Sequence, residues 1–349
     1  ELDRAGFAVE RGVADLPTAL VATVGSGPLV LGICCEYDAL PDVGHACGHN
    51  VIAAAGVGAA IGLGALADDL GLTVKVFGTP AEEGGGGKVY MLDHGVFDGT
   101  HAAMMVHPAP HERVDTEMLA VANYAIGYTG KPAHASAYPH EGINAADAVT
   151  VAQVAVGLLR QHIRSTERIH GIVTRGGEAG NIIPAKTSAS YFVRAEDLDA
   201  LESLVPRVRA CFEAGATATG STLDFAQQAP PYAEMRNDPA MMAIYQANAE
   251  TAGRRFPTLS AEAAAAVGSS DMGNVSRALP SIHPMLAIDC GGSSNHQPEF
   301  ARHCASASAD TAVVQAAKAM AWTCVDLAAD DQQRDRLMHP PTRTRQGAP

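Results

Sequence analysis

The chain has 349 residues, enough for two domains with a large core. Its formal charge of −14 argues against a nucleic-acid binder, although local arginines can still receive a small anionic substrate. Hydrophobic residues make up 47% of it, yet no apolar run reaches the ~20 residues a membrane span needs.

Residues 27–41, GPLVLGICCEYDALP, contain a strand ending near Glu36, with Asp38 just beyond it. GHACGHN at 44–50 then sets His45, Cys47 and His49 at alternate positions, which share one face if the backbone there is extended. Residues 50–67, rich in alanine and glycine, read as a closely packed interior helix with Asn50 as N-cap. LTVKVFGTPAEEGGGG at 72–87 is a strand running into a turn, and HAAMMVHPAP at 101–110 a strand ending at His107. Strands alternating with helices predict an α/β fold, a mainly parallel sheet flanked by helices.

From about residue 117 the texture changes. Strands are expected at 119–130, 168–177, 186–195 and 221–227, and helices at 143–163 and 197–217, the first with apolar residues at helical spacing. That β-α-β-β-α-β order predicts an inserted α+β domain of four strands and two helices. Residues 227–239 read as a return linker, after which 240–329 resume the first texture. The expected organisation is a catalytic domain in two parts (1–116 and 229–330), an inserted domain (117–228), and a polar, proline-rich tail without fixed structure (331–349). Glu1 opens in mid-pattern, so a preceding piece is expected. Seven cysteines in irregular spacing do not make a disulfide framework; they point to buried thiols in a reducing compartment, the cytoplasm.

A thiolate and an imidazole suit a borderline metal such as zinc. Taken alone, Cys47 and His49 fit equally well a buried cysteine beside structural histidines. Glu82 and Glu83 follow directly on an apolar strand, at the sheet edge where open α/β proteins place ligands. On an extended backbone they point in different directions, one free to bind metal and the other to act as general base. A solvated acidic turn is the commoner fate of such a pair. The glycine run is not a phosphate loop, because Lys88 is followed by Val89, and GVGAAIG at 56–62 lies inside a helix rather than at its mouth. His296 follows the strand MLAIDCGG. Asp38, Cys47, His49, Glu83 and His107 all fall just past successive strands, whose edges a parallel sheet brings together.

The set EYDALP, GHACGHN, PAEEGGGG, VHP, GKPAHAS, GNIIP and NHQPEF, running in this order between about Phe7 and Thr323, resembles the aminoacylase/carboxypeptidase/amidohydrolase family of co-catalytic metallopeptidases. Within it the chain is similar to the amidohydrolase branch that includes aminobenzoyl-glutamate hydrolases and β-alanyl dipeptidases; many relatives read DMDALP and CGHD where this chain has EYDALP and CGHN. The resemblance implies a di-metal aminopeptidase-like catalytic domain whose usual opening segment is not in this chain. It implies two divalent ions per subunit, zinc or manganese with cobalt a further candidate, held by Cys47, His49, Glu83, His107 and His296. Glu82 would be the base, and Asp38 would orient a metal ligand. The inserted domain would be lid and dimerisation domain, with His134 an oxyanion donor in its own or the partner subunit's site. Asn181 and Arg194 would hold the substrate's polar groups or carboxylate. GSSDMGNVS at 268–276 resembles another active-site loop, without an assigned role.

The implied activity is hydrolysis, by a metal-activated water and a Glu base, of the amide bond of a small N-acyl amino acid, an aminobenzoyl-glutamate-like compound or a dipeptide. A homodimer without nucleic-acid or membrane partners is expected. The competing reading is a homologue that binds metal but has lost catalysis and serves as a binding or regulatory module; Glu82 speaks against it, because a pure binder has no use for it. A redox role for Cys34 and Cys35 is disfavoured, since neighbours in a strand point to opposite faces and no C-x-x-C is present.

Overall fold

The computed structural model describes residues 1–265 and 267–339. It divides into two compact units: Glu1–Met118 together with the chain from Met235 onward, and Leu119–Glu234. The first unit begins with β1 (Ala8–Arg11), β2 (Leu20–Val24), β3 (Leu29–Glu36), α1 (His49–Gly64), β4 (Leu72–Thr79), α2 (Gly87–Asp93), β5 (Ala102–Met104) and β6 (His107–Ala109). The inserted unit holds β7 (Ala120–Thr129), α3 (Ala145–Leu159), β8 (Arg168–Arg175), β9 (Lys186–Ala195), α4 (Leu198–Thr219) and β10 (Thr222–Gln227). The first unit resumes with α5 (Pro239–Thr251), α6 (Ala261–Ala264), α7 (Met272–Ala278), β11 (Ser281–Ile282), β12 (Met285–Ala287), α8 (Pro298–His303), α9 (Ala307–Ala329) and α10 (Asp331–Met338).

The main sheet has the order β1-β2-β4-β3-β5-β11. Strands β4, β3, β5 and β11 are mutually parallel, and β1 and β2 add an antiparallel edge. The run LVLGICCE of β3 is buried almost throughout, as a strand covered on both faces must be. Its alternate residues feed two cores. Leu29, Leu31, Ile33 and Cys35 pack with α1, α5 and α9, while Cys34 shares the other face with Met91 of α2 and Met272 and Val275 of α7. Helix α1 comes very close to β3: a Cβ at Gly56 would lie 2.4 Å from Cys35 Sγ.

Three local expectations are corrected. Helix α1 begins at His49 and is entered through Gly48 in the left-handed region (φ 75), so Asn50 is not its cap; the Asn50 side chain instead donates to Cys304 O at 2.8 Å. The stretch 101–110 is not one strand. β5 ends at Met104, and His107 opens β6, which pairs in parallel with β12 in a separate two-stranded sheet; Pro108 has no N–H for a longer ladder. Residues 331–338, expected to lack structure, form α10. Asp330 caps it, Leu337 is fully buried, Arg334 donates to Leu70 O, Gly71 O and Ala328 O, and Arg336 pairs with Asp238 at 2.7 Å. The rest of the predicted tail, 340–349, lies outside the described residues.

The inserted unit is an antiparallel sheet of order β10-β7-β9-β8 with α3 and α4 packed on it around Tyr128, Tyr191, Val208 and Phe212. Asn144 and Asp197 cap α3 and α4 with side-chain acceptors. β8 is an open edge: only Ile169 of its eight residues is buried, and Ile172 is 66% exposed. Among the described residues of the chain, no helix is long and apolar enough to cross a membrane.

Candidate metal centre

The parallel strands of the first unit deliver acidic and metal-binding side chains to one edge of the sheet. Glu36 is the last residue of β3, and Asp38 follows two positions on. Residues 45–48 are a bend and turn rather than extended backbone, so Cys47 and His49 meet through the left-handed Gly48 and the start of α1, not through strand alternation. Past β4 the chain folds into a tight turn in which the N–H groups of Gly85 and Gly86 both donate to Ala81 O at 2.8 Å. Glu82 and Glu83 sit in that turn instead of pointing apart on an extended segment. His107 opens β6, and His296 precedes α8, its N–H donating to Ala46 O at 2.8 Å.

These positions converge. Cys47 Sγ lies 3.5 Å from His107 Nε2. His49 Nε2 lies 3.7 Å from Glu83 Oε1, 3.8 Å from Glu82 Oε2 and 3.5 Å from Glu36 Oε2. Glu83 Oε2 in turn is 3.5 Å from His296 Nε2. Three overlapping groups each place their ligand atoms within 4.8 Å of one another: Cys47, His49 and His107; Cys47, Glu83 and His296; and Glu36, His49 and Glu82. His45, the first histidine of the motif, enters none of them.

The imidazoles are aimed. Asp38 Oδ1 lies 3.0 Å from His49 Nδ1, and a carboxylate can only accept, so Nδ1 carries the proton and Nε2 presents its lone pair to the cluster. Asp38 Oδ2 also accepts the Glu83 N–H at 3.0 Å, tying the two turns together. The Pro108 carbonyl, 2.9 Å from His107 Nδ1, fixes the same tautomer there. Asn295 Nδ2 donates to that carbonyl at 3.1 Å and approaches Cys47 Sγ at 3.8 Å.

Burial and charge crowding set the protonation. Burial raises the Glu82 carboxyl well above the usual carboxylate range, helped by Glu36 and Asp271 and opposed by Lys88. Burial also works against ionising Glu36, but the Lys88 ammonium, then His49 and His107, outweigh it and hold Glu36 at about 2. Asp38 is likewise held at about 2, its partial burial outweighed by the bonds from His49 and the Glu83 N–H. Burial, then Glu83 and Glu82, push the Cys47 thiol far up. A cation would relieve this crowding, and the structure fits one: Glu36 Oε2, His49 Nε2 and Glu83 Oε1 are buried with no hydrogen-bond partner among the described residues. Sulfur, imidazole and carboxylate together are a donor set for a borderline divalent metal.

A model of the peptidase family M20/M25/M40 matches residues 35–321. The Xaa-Arg dipeptidase of Mus musculus is 37% identical over 323 residues, covering 89% of this chain and 75% of the mouse protein. The chain belongs to peptidase family M20/M25/M40. The M20 chain is a hydrolase acting on amide bonds. It is also 34% identical over 244 residues to a subunit of the p-aminobenzoyl-glutamate hydrolase of Escherichia coli K12, covering 64% of this chain and 51% of that one. Its fold is shared with the crystal structure of a dinuclear metal-binding M20 peptidase from Bacillus subtilis, with a TM-score of 0.68 at 20% identity over 94% of this chain and 90% of that one.

Three residues singled out from the M20 sequence lie in the inserted unit. His134 and Asn181 are neighbours there: His134 bridges to Ile182, and the Ala135 N–H donates to Asn181 O at 3.0 Å. Arg194 does not join them. It pairs with Val121 at one end of β9, whereas the His134 corner adjoins the end where Lys186 pairs with Thr129, about 26 Å away at ~3.3 Å per residue. Sequence reasoning missed Glu36, Lys88, Asp271 and Asn295 as members or supports of the cluster. Glu36 and Asn295 stood inside quoted motifs, and Asp271 lay in the loop 268–276 that had no role; nothing local marked Lys88 as buried.

Proposed function

We propose that this M20 hydrolase cleaves the amide bond of a small N-acyl amino acid, an aminobenzoyl-glutamate-like compound or a dipeptide, at a centre of two divalent ions held by Cys47, His49, Glu83, His107 and His296. The observation that carries this reading is the convergence of those five side chains on one edge of the sheet, with buried, unpartnered His49 Nε2 and Glu83 Oε1 inside the cluster. Divalent ions held there would supply Lewis acidity toward the scissile carbonyl and lower the pKa of the nucleophilic water.

Asp38 keeps His49 in the tautomer that leaves Nε2 free as a donor atom. Glu82 takes the proton of the attacking water and returns it to the leaving amine; burial raises its carboxyl above the usual carboxylate range, which makes it a stronger base than an exposed glutamate. His134 donates to the oxyanion and Asn181 holds a polar group of the substrate, a joint role supported by their adjacency. Arg194, at the far end of its strand, is left out of this pair. Zinc suits the Cys ligand, and manganese or cobalt suit the carboxylate and imidazoles.

Glu82→Gln is expected to keep its metal, by elemental analysis, while turnover of N-acyl amino acids and dipeptides falls about 10²–10⁴-fold. Near-normal turnover would remove Glu82 as the base, and an inert but metal-loaded native protein across the whole panel would favour the binding-module reading. We further propose a cytoplasmic homodimer formed through the inserted unit. All seven cysteines are free. The open edge of β8 and the exposed Val154 and Leu158 of α3 are surfaces a partner would cover. Light scattering on a chromatography column should give twice the chain mass; a monomer at micromolar concentration would refute the dimer.

A further inference from the structure

We propose that Glu36 is a sixth side chain facing the metal centre, and that Lys88, gripped by Asp271, is the positioning residue that turns it there. Glu36 closes β3 with its side chain fully buried. Its two oxygens have different surroundings. Oε1 accepts from Lys88 Nζ at 2.5 Å, whereas Oε2 has no hydrogen-bond partner among the described residues and lies 3.5 Å from His49 Nε2, which also has none. A carboxylate oxygen buried without a donor is costly unless a cation meets it. Glu36, His49 and Glu82 set their ligand atoms within 4.8 Å of one another, a third triangle beside the two that share Cys47.

Lys88 is built to hold that orientation. Its ammonium reaches Asp271 Oδ1 at 2.6 Å, and its own backbone N–H donates to Asp271 Oδ2 at 2.9 Å, so Asp271 is held at both oxygens. All three side chains have zero exposure, which shields them from bulk solvent. One ammonium thus serves two carboxylates. The negative charge left over is presented at Glu36 Oε2, beside the lone pair of His49.

This inference rests on the two-metal reading above, and the test separates the two. The chelator-stripped full chain is titrated with cobalt(II) and zinc(II). Stoichiometry and affinity are read by calorimetry, the ligand field by the visible cobalt spectrum, and the fold by near-ultraviolet circular dichroism. If the native protein takes up no ion, both readings fall. If it takes up two, Glu36→Gln should weaken one of them about tenfold or more and alter the cobalt spectrum, while the dichroism stays native. Glu36→Asp, which keeps the charge but withdraws it by one methylene, should fall between. Lys88→Met should weaken the same ion, and adding it to Glu36→Gln should cost nothing further, because Lys88 acts through Glu36. Unchanged affinity and spectrum in folded Glu36→Gln would overturn the proposal while leaving the two-metal reading standing. If that variant does not fold, the same result in Glu36→Asp decides. A loss from Lys88→Met that adds in full to that of Glu36→Gln would overturn its positioning role.

Discussion

Ala81 and His296 hold left-handed backbone, φ 61 and φ 70, a region that residues with a Cβ avoid. Each sits at the cluster: Ala81 aims the turn that carries Glu82 and Glu83, and His296 is itself one of the converging side chains. At these two positions the strained backbone serves to point side chains rather than to pack them. His283 is another local expense. It is fully buried, its ring centroid is 5.5 Å from that of His107, and neither of its nitrogens has a partner among the described residues. Burial, then His107, hold it down to about 3. The folded state therefore declines a proton that the unfolded chain accepts below about 6.5, so its stability cost grows as pH falls from 6.5 toward 3, by up to about 1.4 kcal/mol per pH unit. His283→Leu is expected to be neutral or stabilising in metal-free protein at pH 7 and to gain roughly 2–3 kcal/mol on the native protein by pH 4.5, read from urea midpoints. A constant difference between the two pH values would refute the buried neutral histidine. At this scale Glu82 and Glu83 stood out because they follow directly on the apolar strand β4. Lys88 was not, because its burial depends on Glu36 and Asp271, 52 and 183 positions away.

Among elements, the close junction of α1 and β3 positions the centre, since His49 starts one and Glu36 ends the other. Gly56 permits it, and adding a methyl there drives a carbon into Cys35 Sγ. Gly56→Ala should cost about 1–3 kcal/mol in urea denaturation despite the better helix propensity of alanine. A stabilised variant would mean that α1 can move off the strand freely. Element type was readable from apolar runs and periodicity: β3, β4, β7, β9, α3 and α4 all stand where those patterns put them. Boundaries failed where glycine or proline overrode the pattern. Gly44 and Gly48, both at positive φ, turn the expected extended stretch 45–49 into a bend, and Pro108 marks the short β6 set apart from β5. α10 was hidden because its anchors, Leu70, Gly71 and Asp238, are remote in sequence from a segment that looks merely polar.

In the whole molecule, the centre belongs to a unit made of two stretches of chain with the inserted unit between them. Ions that bind this assembled edge and not the unfolded chain must stabilise it. Saturation at about 100 times Kd is worth about 2.7 kcal/mol, which should raise the melting temperature of the stripped protein by roughly 5 °C. Scanning fluorimetry with manganese(II) or zinc(II) against chelator checks this, and an unmoved transition would argue against a resident metal. The first boundary between the units, Met118 to Leu119, lies close to the change of texture near residue 117. The convergence of Glu36 through His107 with Asp271 through His296 was not readable from spacing alone, because it is made by parallel strands that meet only in the finished sheet. That interrupted path also orders events at the ribosome. The inserted unit can be complete while Cys47, His49 and Glu83 are still waiting for His296 to be translated, so a stalled or truncated product can carry a finished second body yet lack one of the converging side chains.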